Sequence, residues 1–162
     1  MPVKSLLDPA TKEMLLEAVA SELYASHLYQ HLANQMQFVG RFGAAKFFQA
    51  ESLNERAHFQ KLVDYFDDPG DWVAMPSVPK CDDTAKDLPQ ALQVAYDTEL
   101  QLERDYVGWY KACPCEVTRQ FLLAFLEDQR KSVGEYSDLL AEVALAGDDR
   151  AALMMLDNKL GA

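Results

Sequence analysis

Residues 67–87 read DDPGDWVAMPSVPKCDDTAKD and contain no helical pattern. A stretch of about 20 residues without secondary structure is unusual inside a compact domain, so it needs a geometric reason. The flanking segments have helical periodicity, and a helix of roughly 25 residues is about 38 Å long. An extended chain of about 20 residues reaches roughly 65 Å, which is enough to return along such a helix. The pattern therefore predicts two helical hairpins joined by one long crossover.

Helix caps and glycine stops divide the rest of the chain. Asp8-Pro9 and Asp87-Leu88-Pro89 are N-cap patterns with proline in the first turn. Gly40 and Gly147 are plausible stops. We expect helices at about 9–38, 44–66, 88–113, 114–146 and 149–160, within one domain over residues 1–162. The sequence has no alternation of β-branched residues with hairpin turns, so the chain is predicted to be all-α.

Composition narrows the class of protein. The chain has 162 residues, 15 basic and 26 acidic, so its formal charge is −11. This balance argues against a nucleic-acid or anionic-membrane partner, since both require clustered lysine and arginine. No apolar run reaches the roughly 18–20 residues of a membrane span, and the first residues lack the apolar stretch of a signal peptide. Three cysteines are too few for a disulfide framework. We expect a soluble, cytoplasmic protein.

Each of the four long helices places one long polar side chain near the middle of its apolar stripe. These residues are Glu22, Glu55, Glu99 and Gln129. A single glutamate of this kind is more often the solvated flank of its helix, but coincidence on all four helices is a poor explanation. Burying a lone ionised carboxylate costs several kcal/mol, so three of them near one level in a core require a cation.

His58 follows Glu55 by three residues, a spacing that turns both side chains towards the bundle axis. A lone Glu-x-x-His is weak evidence, and a lone histidine is more often a packing residue. Together with Glu22, Glu99 and the crossover, the motif predicts a metal site. Carboxylates and one imidazole, without thiolate, suit iron or manganese better than structural zinc.

Several stretches resemble the ferritin family, and together they cover nearly the whole chain. ELYASHLY, from Glu22, resembles the first-helix motif, and NERAH and KLVDY, from Asn54 and Lys61, look like the second helix. PKCDD, from Pro79, is similar to the crossover of the eukaryotic H-type branch, and LDNKLG, from Leu156, to the terminal helix. The resemblance implies a ferritin-like four-helix bundle, with a long crossover between helices 2 and 3 and a short C-terminal fifth helix.

The resemblance also implies a di-iron ferroxidase centre. In it, Glu22, Glu55 and His58 hold one iron. Glu55 bridges to a second iron, which Glu99 also binds. Gln129 falls where H-type ferritins have a glutamine beside that second iron, as a weak ligand or a close neighbour.

Other polar residues have less specific counterparts in the family. Tyr29 matches a tyrosine that donates a hydrogen bond and an electron, with simple core packing as the alternative. Glu103 is either an accessory ligand or a solvent-facing residue, and Glu135 is a weaker candidate for an accessory inner-surface carboxylate. Cys113 and Cys115 are more simply free thiols in a turn than a soft-metal or redox site.

The sequence departs from the family pattern at three places. Arg56 stands where bacterioferritins carry a haem-ligating methionine, so no haem is expected. Asn54 replaces a carboxylate often found before the bridging glutamate, which argues against a further iron site there. Around Arg119 and Leu122 the acidic pair that lines the three-fold channels of animal ferritins is missing, which leaves the route of iron entry open.

The resulting hypothesis is an iron-storage ferritin. It would oxidise Fe(II) with O2 or H2O2 and store Fe(III) as mineral inside a homo-oligomeric shell, which the resemblance implies to have 24 subunits. One alternative is a di-iron oxidase or peroxidase of the same bundle that stores no iron. Another is a structural cage subunit with a silent site.

Overall fold

The computed structural model describes residues 4–82 and 84–162, so Asp83 of the crossover motif lies outside the described residues. Within that part of the chain every regular element is a helix. The helices are α1 (Pro9–Phe38), α2 (Phe42–Tyr65), α3 (Leu88–Ala112), α4 (Glu116–Ala146) and α5 (Arg150–Leu160). The all-α prediction is therefore confirmed.

The helix ends differ from the predicted ones by at most two residues. Helix α2 begins earlier because Gly40, at φ 79°, makes a tight turn and Arg41 is already the N-cap. Helix α4 begins later because the chain is still extended at Cys115, after Pro114. Helix α5 begins one residue later because Asp149 is its cap, and its carboxylate accepts hydrogen bonds from the N–H groups of Ala151 and Ala152.

The crossover between α2 and α3 follows α1 along its length. Near its start, Asp71 accepts a hydrogen bond from Lys12 at 2.7 Å. Near its end, the N–H of Ala85 donates to the side chain of Gln35 at 3.0 Å. These two α1 residues are separated by about 35 Å of helix, and the crossover residues between the two contacts can extend over roughly 46 Å. The predicted return along the bundle is confirmed.

Short turns make two hairpins, α1 with α2 and α3 with α4, and α5 packs on α2 and α4. Most of the core is apolar, but the largest fully buried side chains include Tyr29, Tyr106 and Tyr136. A buried hydroxyl requires a hydrogen-bond partner, and the partners here are the carboxylates of Glu99, Glu22 and Glu51, in that order. Among the described residues no helix is both long enough and apolar enough to span a membrane.

Candidate metal centre

The four polar residues predicted to lie in the bundle interior are buried there. Glu22 on α1 and Glu99 on α3 are completely inaccessible, and Glu55 on α2 and Gln129 on α4 are almost so. His58 is partly accessible, with 17 % of its side chain exposed. The helical spacing explains this placement, because each residue takes one position of its helix's apolar stripe.

Glu22, Glu55 and His58 form a compact cluster. Each offers one ligand atom, and these atoms lie within 4.8 Å of one another. Nδ1 of His58 is 3.2 Å from Oε2 of Glu55 and 3.8 Å from Oε2 of Glu22. Two carboxylates and an imidazole that converge in this way are a donor set for iron or manganese.

The surroundings of Oε2 of Glu22 indicate whether a cation fits at this cluster. Within the described part of the chain, Oε2 of Glu22 is buried and accepts no hydrogen bond. Leaving such an atom unpaired costs about 1–3 kcal/mol or more for a charged group. A cation between Glu22, Glu55 and His58 would remove that cost. The residues present therefore fit a metal ion.

Burial changes the protonation of this cluster. Desolvation raises the pKa of Glu22 well above its ordinary value, and the neighbouring Glu55 carboxyl adds to the rise. Desolvation likewise raises the pKa of Glu55 to about 8, although the adjacent Glu22 carboxyl acts in the opposite direction. Without a cation, the pair therefore retains protons near neutral pH that two exposed carboxylates would lose.

Glu99 lies beside this cluster in a different environment. Its Oε1 accepts the hydroxyl of Tyr29, and its Oε2 accepts the Gln129 amide at 3.0 Å. Desolvation raises the pKa of Glu99 to about 7, while both hydrogen bonds lower it. The negative charge of Glu99 also raises the pKa of Glu55, so the two carboxylates interact electrostatically. The structure thus connects Tyr29, Gln129 and Glu99, and it places them next to Glu55.

A family model described as a ferritin-like domain matches residues 12–146. The chain belongs to the ferritin family. It is 33 % identical over 134 residues to soma ferritin of Lymnaea stagnalis, with 78 % of this chain and 76 % of that protein covered. It is 25 % identical over 158 residues to a bacterial non-heme ferritin of Escherichia coli, with 96 % of both chains covered.

Solved ferritins have the same fold. The open pore ferritin of Archaeoglobus fulgidus superimposes with a TM-score of 0.91 at 21 % identity, over 96 % of this chain and 98 % of that one. A humanized archaeal ferritin gives 0.92 at 20 % identity, with 96 % of each covered. Likenesses at this identity show the fold alone. Family membership supports a role in iron storage or iron oxidation.

Tyr106 also contacts the centre of this ferritin, although its sequence position did not predict that role. Its hydroxyl donates to Oε1 of Glu22. The tyrosine lies on the apolar stripe of α3, seven residues after Glu99, and that stripe suggests only packing. The sequence offered only a chemical signal. The hydroxyl of a tyrosine buried among carboxylates is expected to donate a hydrogen bond to one of them.

A second set of acidic residues lines a cavity of about 340 Å³ between α2 and α4, and two of them, Glu51 and Asp128, were not predicted from the sequence. Glu51 lies one turn before Glu55, and burial raises its pKa. Oδ2 of Asp128 is 3.9 Å from Nε2 of His58. Glu135, predicted as an accessory carboxylate, lines the same cavity. The i, i+4 spacing of Glu51 and Glu55 was the signal in the sequence.

The remaining predicted residues lie elsewhere in this ferritin. Glu103 forms a two-pronged ion pair with Arg130, at 2.6 and 3.1 Å. Arg56 stacks over the ring of Phe59, at 4.7 Å from its centroid. Cys113 is buried and Cys115 is partly exposed, and both thiols are free. None of these four side chains belongs to the three-residue cluster found among the described residues.

Proposed function

We propose that this ferritin oxidises Fe(II) and stores the Fe(III) product. The observation that carries the proposal is the convergence of Glu22, Glu55 and His58 within 4.8 Å in the core of the bundle. Buried carboxylates whose charge is not otherwise balanced attract a cation. The net charge of −11 favours the approach of cations to the protein as a whole.

In the proposed centre, Glu22, Glu55 and His58 bind the first Fe(II), and Glu55 bridges to a second. Glu99 binds the second Fe(II), and Gln129 orients Glu99 through the 3.0 Å hydrogen bond to its Oε2. Tyr29 holds the other oxygen of the same carboxylate. Such outer contacts orient metal ligands and tune their basicity.

The ligands supply the driving force for oxidation. Anionic carboxylate oxygens are hard donors and stabilise Fe(III) relative to Fe(II), which lowers the reduction potential of the bound iron. Two Fe(II) substrates supply the two electrons that reduce O2, with two protons, to H2O2. Because burial raises the pKa of Glu55 to about 8 and of Glu99 to about 7, these carboxyls release protons when Fe(II) binds.

We also propose a cytoplasmic, haem-free cage of 24 copies of this chain. Family membership supports a homo-oligomer. Large apolar side chains near the C-terminus support it too, since Leu145 is 89 % exposed and Met155 is 72 % exposed in the single chain. Assembly would cover such a patch.

The test is aerobic addition of excess Fe(II) to the purified protein, followed by size-exclusion chromatography. We expect fast ferric absorbance, with the iron eluting in a particle of cage size. Fast oxidation with iron precipitating outside the protein would favour the non-storing oxidase. Oxidation no faster than in buffer would leave a cage subunit with a silent site. In either case the storage proposal is overturned.

A further inference from the structure

Two aromatic residues of α3 connect the candidate metal centre with the outside of the subunit. The hydroxyl of Tyr106 donates to Glu22, one of the proposed iron ligands. The Tyr106 ring contacts the Trp109 ring edge to face, with 5.0 Å between the ring centroids. Trp109 is partly exposed, so the path runs from the buried cluster to solvent in two steps.

Each aromatic residue of this pair has its own proton acceptor. The phenol of Tyr106 donates to Oε1 of Glu22. The indole N–H of Trp109 donates to Oε2 of the exposed Glu17 at 3.1 Å. A tyrosine or tryptophan that loses an electron becomes far more acidic, so oxidation is easiest where a carboxylate already accepts its proton. The arrangement therefore suits transfer of single electrons, which packing alone does not require.

The second tyrosine at the centre lacks this connection. Tyr29 donates to Glu99, but its ring stacks between Phe48 and Tyr136, and both of these are buried. Within the described residues, the recorded ring contacts of Tyr29 lead to no tryptophan. The two tyrosines at the centre thus differ in their access to the surface.

We propose that Trp109 and Tyr106 form a relay that carries single electrons from the surface of α1 and α3 to the metal centre. The inference rests on the proposed iron oxidation. The relay acts when one iron alone is bound and H2O2 is the oxidant, because reduction of H2O2 requires two electrons. One Fe(II), one H2O2 and the Tyr106 hydroxyl give one Fe(III), one Tyr106 phenoxyl radical, one water and one hydroxide.

Trp109 then restores the tyrosine. An electron passes from Trp109 to the Tyr106 radical, which takes a proton through Glu22 from the water formed at the centre and leaves a second hydroxide. The indole proton of Trp109 moves to Glu17, and an external one-electron reductant finally regenerates Trp109 with that proton. The oxidising equivalent is thereby removed from the centre before it attacks other core side chains.

The first test requires no iron. In the full-length, iron-free protein carrying Trp72→Phe, Trp109 is the only tryptophan, since the chain has two. Azide radicals generated by pulse radiolysis oxidise it. The relay step then runs in reverse, because the radical starts on Trp109. We expect the tryptophanyl absorbance to decay, and the tyrosyl absorbance to grow, at a rate independent of protein concentration. Tyr106→Phe should abolish this fast phase, whereas Tyr110→Phe, at the residue next to Trp109, should retain it. An unchanged fast phase in Tyr106→Phe, or its absence from the parent, overturns the relay.

The second test uses protein loaded with one Fe(II) per subunit and treated with H2O2 and then ascorbate. Electron paramagnetic resonance should show a tyrosyl radical that Tyr106→Phe loses. Trp109→Phe, a change at a partly exposed position, should prolong the lifetime of that radical because ascorbate no longer reaches it through the relay. Equal lifetimes with and without Trp109 overturn the relay. Failure of iron oxidation itself would overturn the proposed function, while the iron-free test still decides whether the two residues are coupled.

Discussion

At the residue scale, the two oxygens of the Glu22 carboxylate have different surroundings. Oε1 accepts the hydroxyl of Tyr106, while Oε2 is buried and accepts nothing from the described residues. The hydrogen bond fixes the orientation of the carboxylate, so its unpaired oxygen faces the His58 ring at 3.8 Å. A side chain held in this way is preorganised for a ligand.

Glu55 belongs to the cluster with Glu22 and His58, and we predict that Glu55→Ala abolishes fast iron oxidation while the cage still forms. The loss should exceed the roughly 10–100-fold effect of removing an outer contact of a metal site, because a ligand shared by both irons is removed. Stopped-flow ferric absorbance and sizing check this. Glu13→Ala, at an exposed glutamate of α1, is the control and should behave as wild type. Wild-type oxidation by Glu55→Ala would contradict the bridging role.

Tyr29 acts through Glu99, and Tyr29→Phe keeps the ring while removing the hydroxyl that Glu99 accepts. That hydrogen bond lowers the pKa of Glu99, so its loss should raise the pKa and weaken binding of the second metal ion. We expect affinity for the second ion to fall roughly 10–100-fold, with the first ion little affected. Anaerobic Mn(II) titration by calorimetry measures both. Equal weakening of the two ions would instead indicate a general loss of packing.

At the element scale, α5 is attached to the start of α2. Arg41, the N-cap of α2, makes no side-chain capping bond. Asp157 of α5 replaces it, since its carboxylate accepts the N–H of Ala44 at 2.8 Å and that of Gly43 at 3.3 Å. An anionic acceptor at a helix N-terminus is stabilised both by these hydrogen bonds and by the helix dipole. The bundle and the last helix are therefore coupled.

Gly43 permits this close contact, and we predict that Gly43→Ala detaches α5. An added Cβ would lie 1.8 Å from the backbone oxygen of Asp157, so one of the two helices has to move. Faster hydrogen exchange in α5 and a lower melting temperature are the expected results.

The matched control for Gly43→Ala is Gly134→Ala on α4. Its added Cβ meets nothing within 4 Å, so it should stabilise the protein by about 1 kcal/mol through helix propensity. Equal effects of the two substitutions would contradict the packing explanation.

At the scale of the whole molecule, the buried carboxylates make stability depend on pH. Their ordinary pKa is 4.5, whereas burial raises that of Glu55 to about 8 and that of Glu99 to about 7. The folded, iron-free protein keeps protons that the unfolded chain has lost. The free energy of unfolding should therefore fall by several kcal/mol as the pH rises from about 5 to about 8.

Chemical denaturation of the iron-free protein across this pH range tests the prediction. Glu99→Gln places a side chain that is neutral at every pH, so the free energy of unfolding should fall less steeply with pH in this variant. Mn(II) should restore more stability at pH 8 than at pH 5, because it binds the deprotonated carboxylates. Parallel stability curves for Glu99→Gln and the parent would show that burial does not raise the pKa of Glu99.

Much of the architecture was predictable because its causes are local. Asp8 and Asp87 each cap the helix that follows them, as their positions close before a proline indicated. The crossover was predictable from chain length, since a long stretch without periodicity has to span the bundle. The exact starts of α2 and α4 were not, because they depend on how the turns at Gly40 and Pro114 pack.

The sequence by itself determined the helices, the crossover and the burial of Glu22, Glu55, Glu99 and Gln129, because periodicity and capping act between residues a few positions apart. Only the tertiary structure decided which groups contact these carboxylates. The Tyr106–Glu22 hydrogen bond joins residues 84 positions apart, and the Tyr29–Glu99 bond joins residues 70 apart. Such pairings depend on the relative rotation and height of packed helices, and side-chain interdigitation across the whole core sets both.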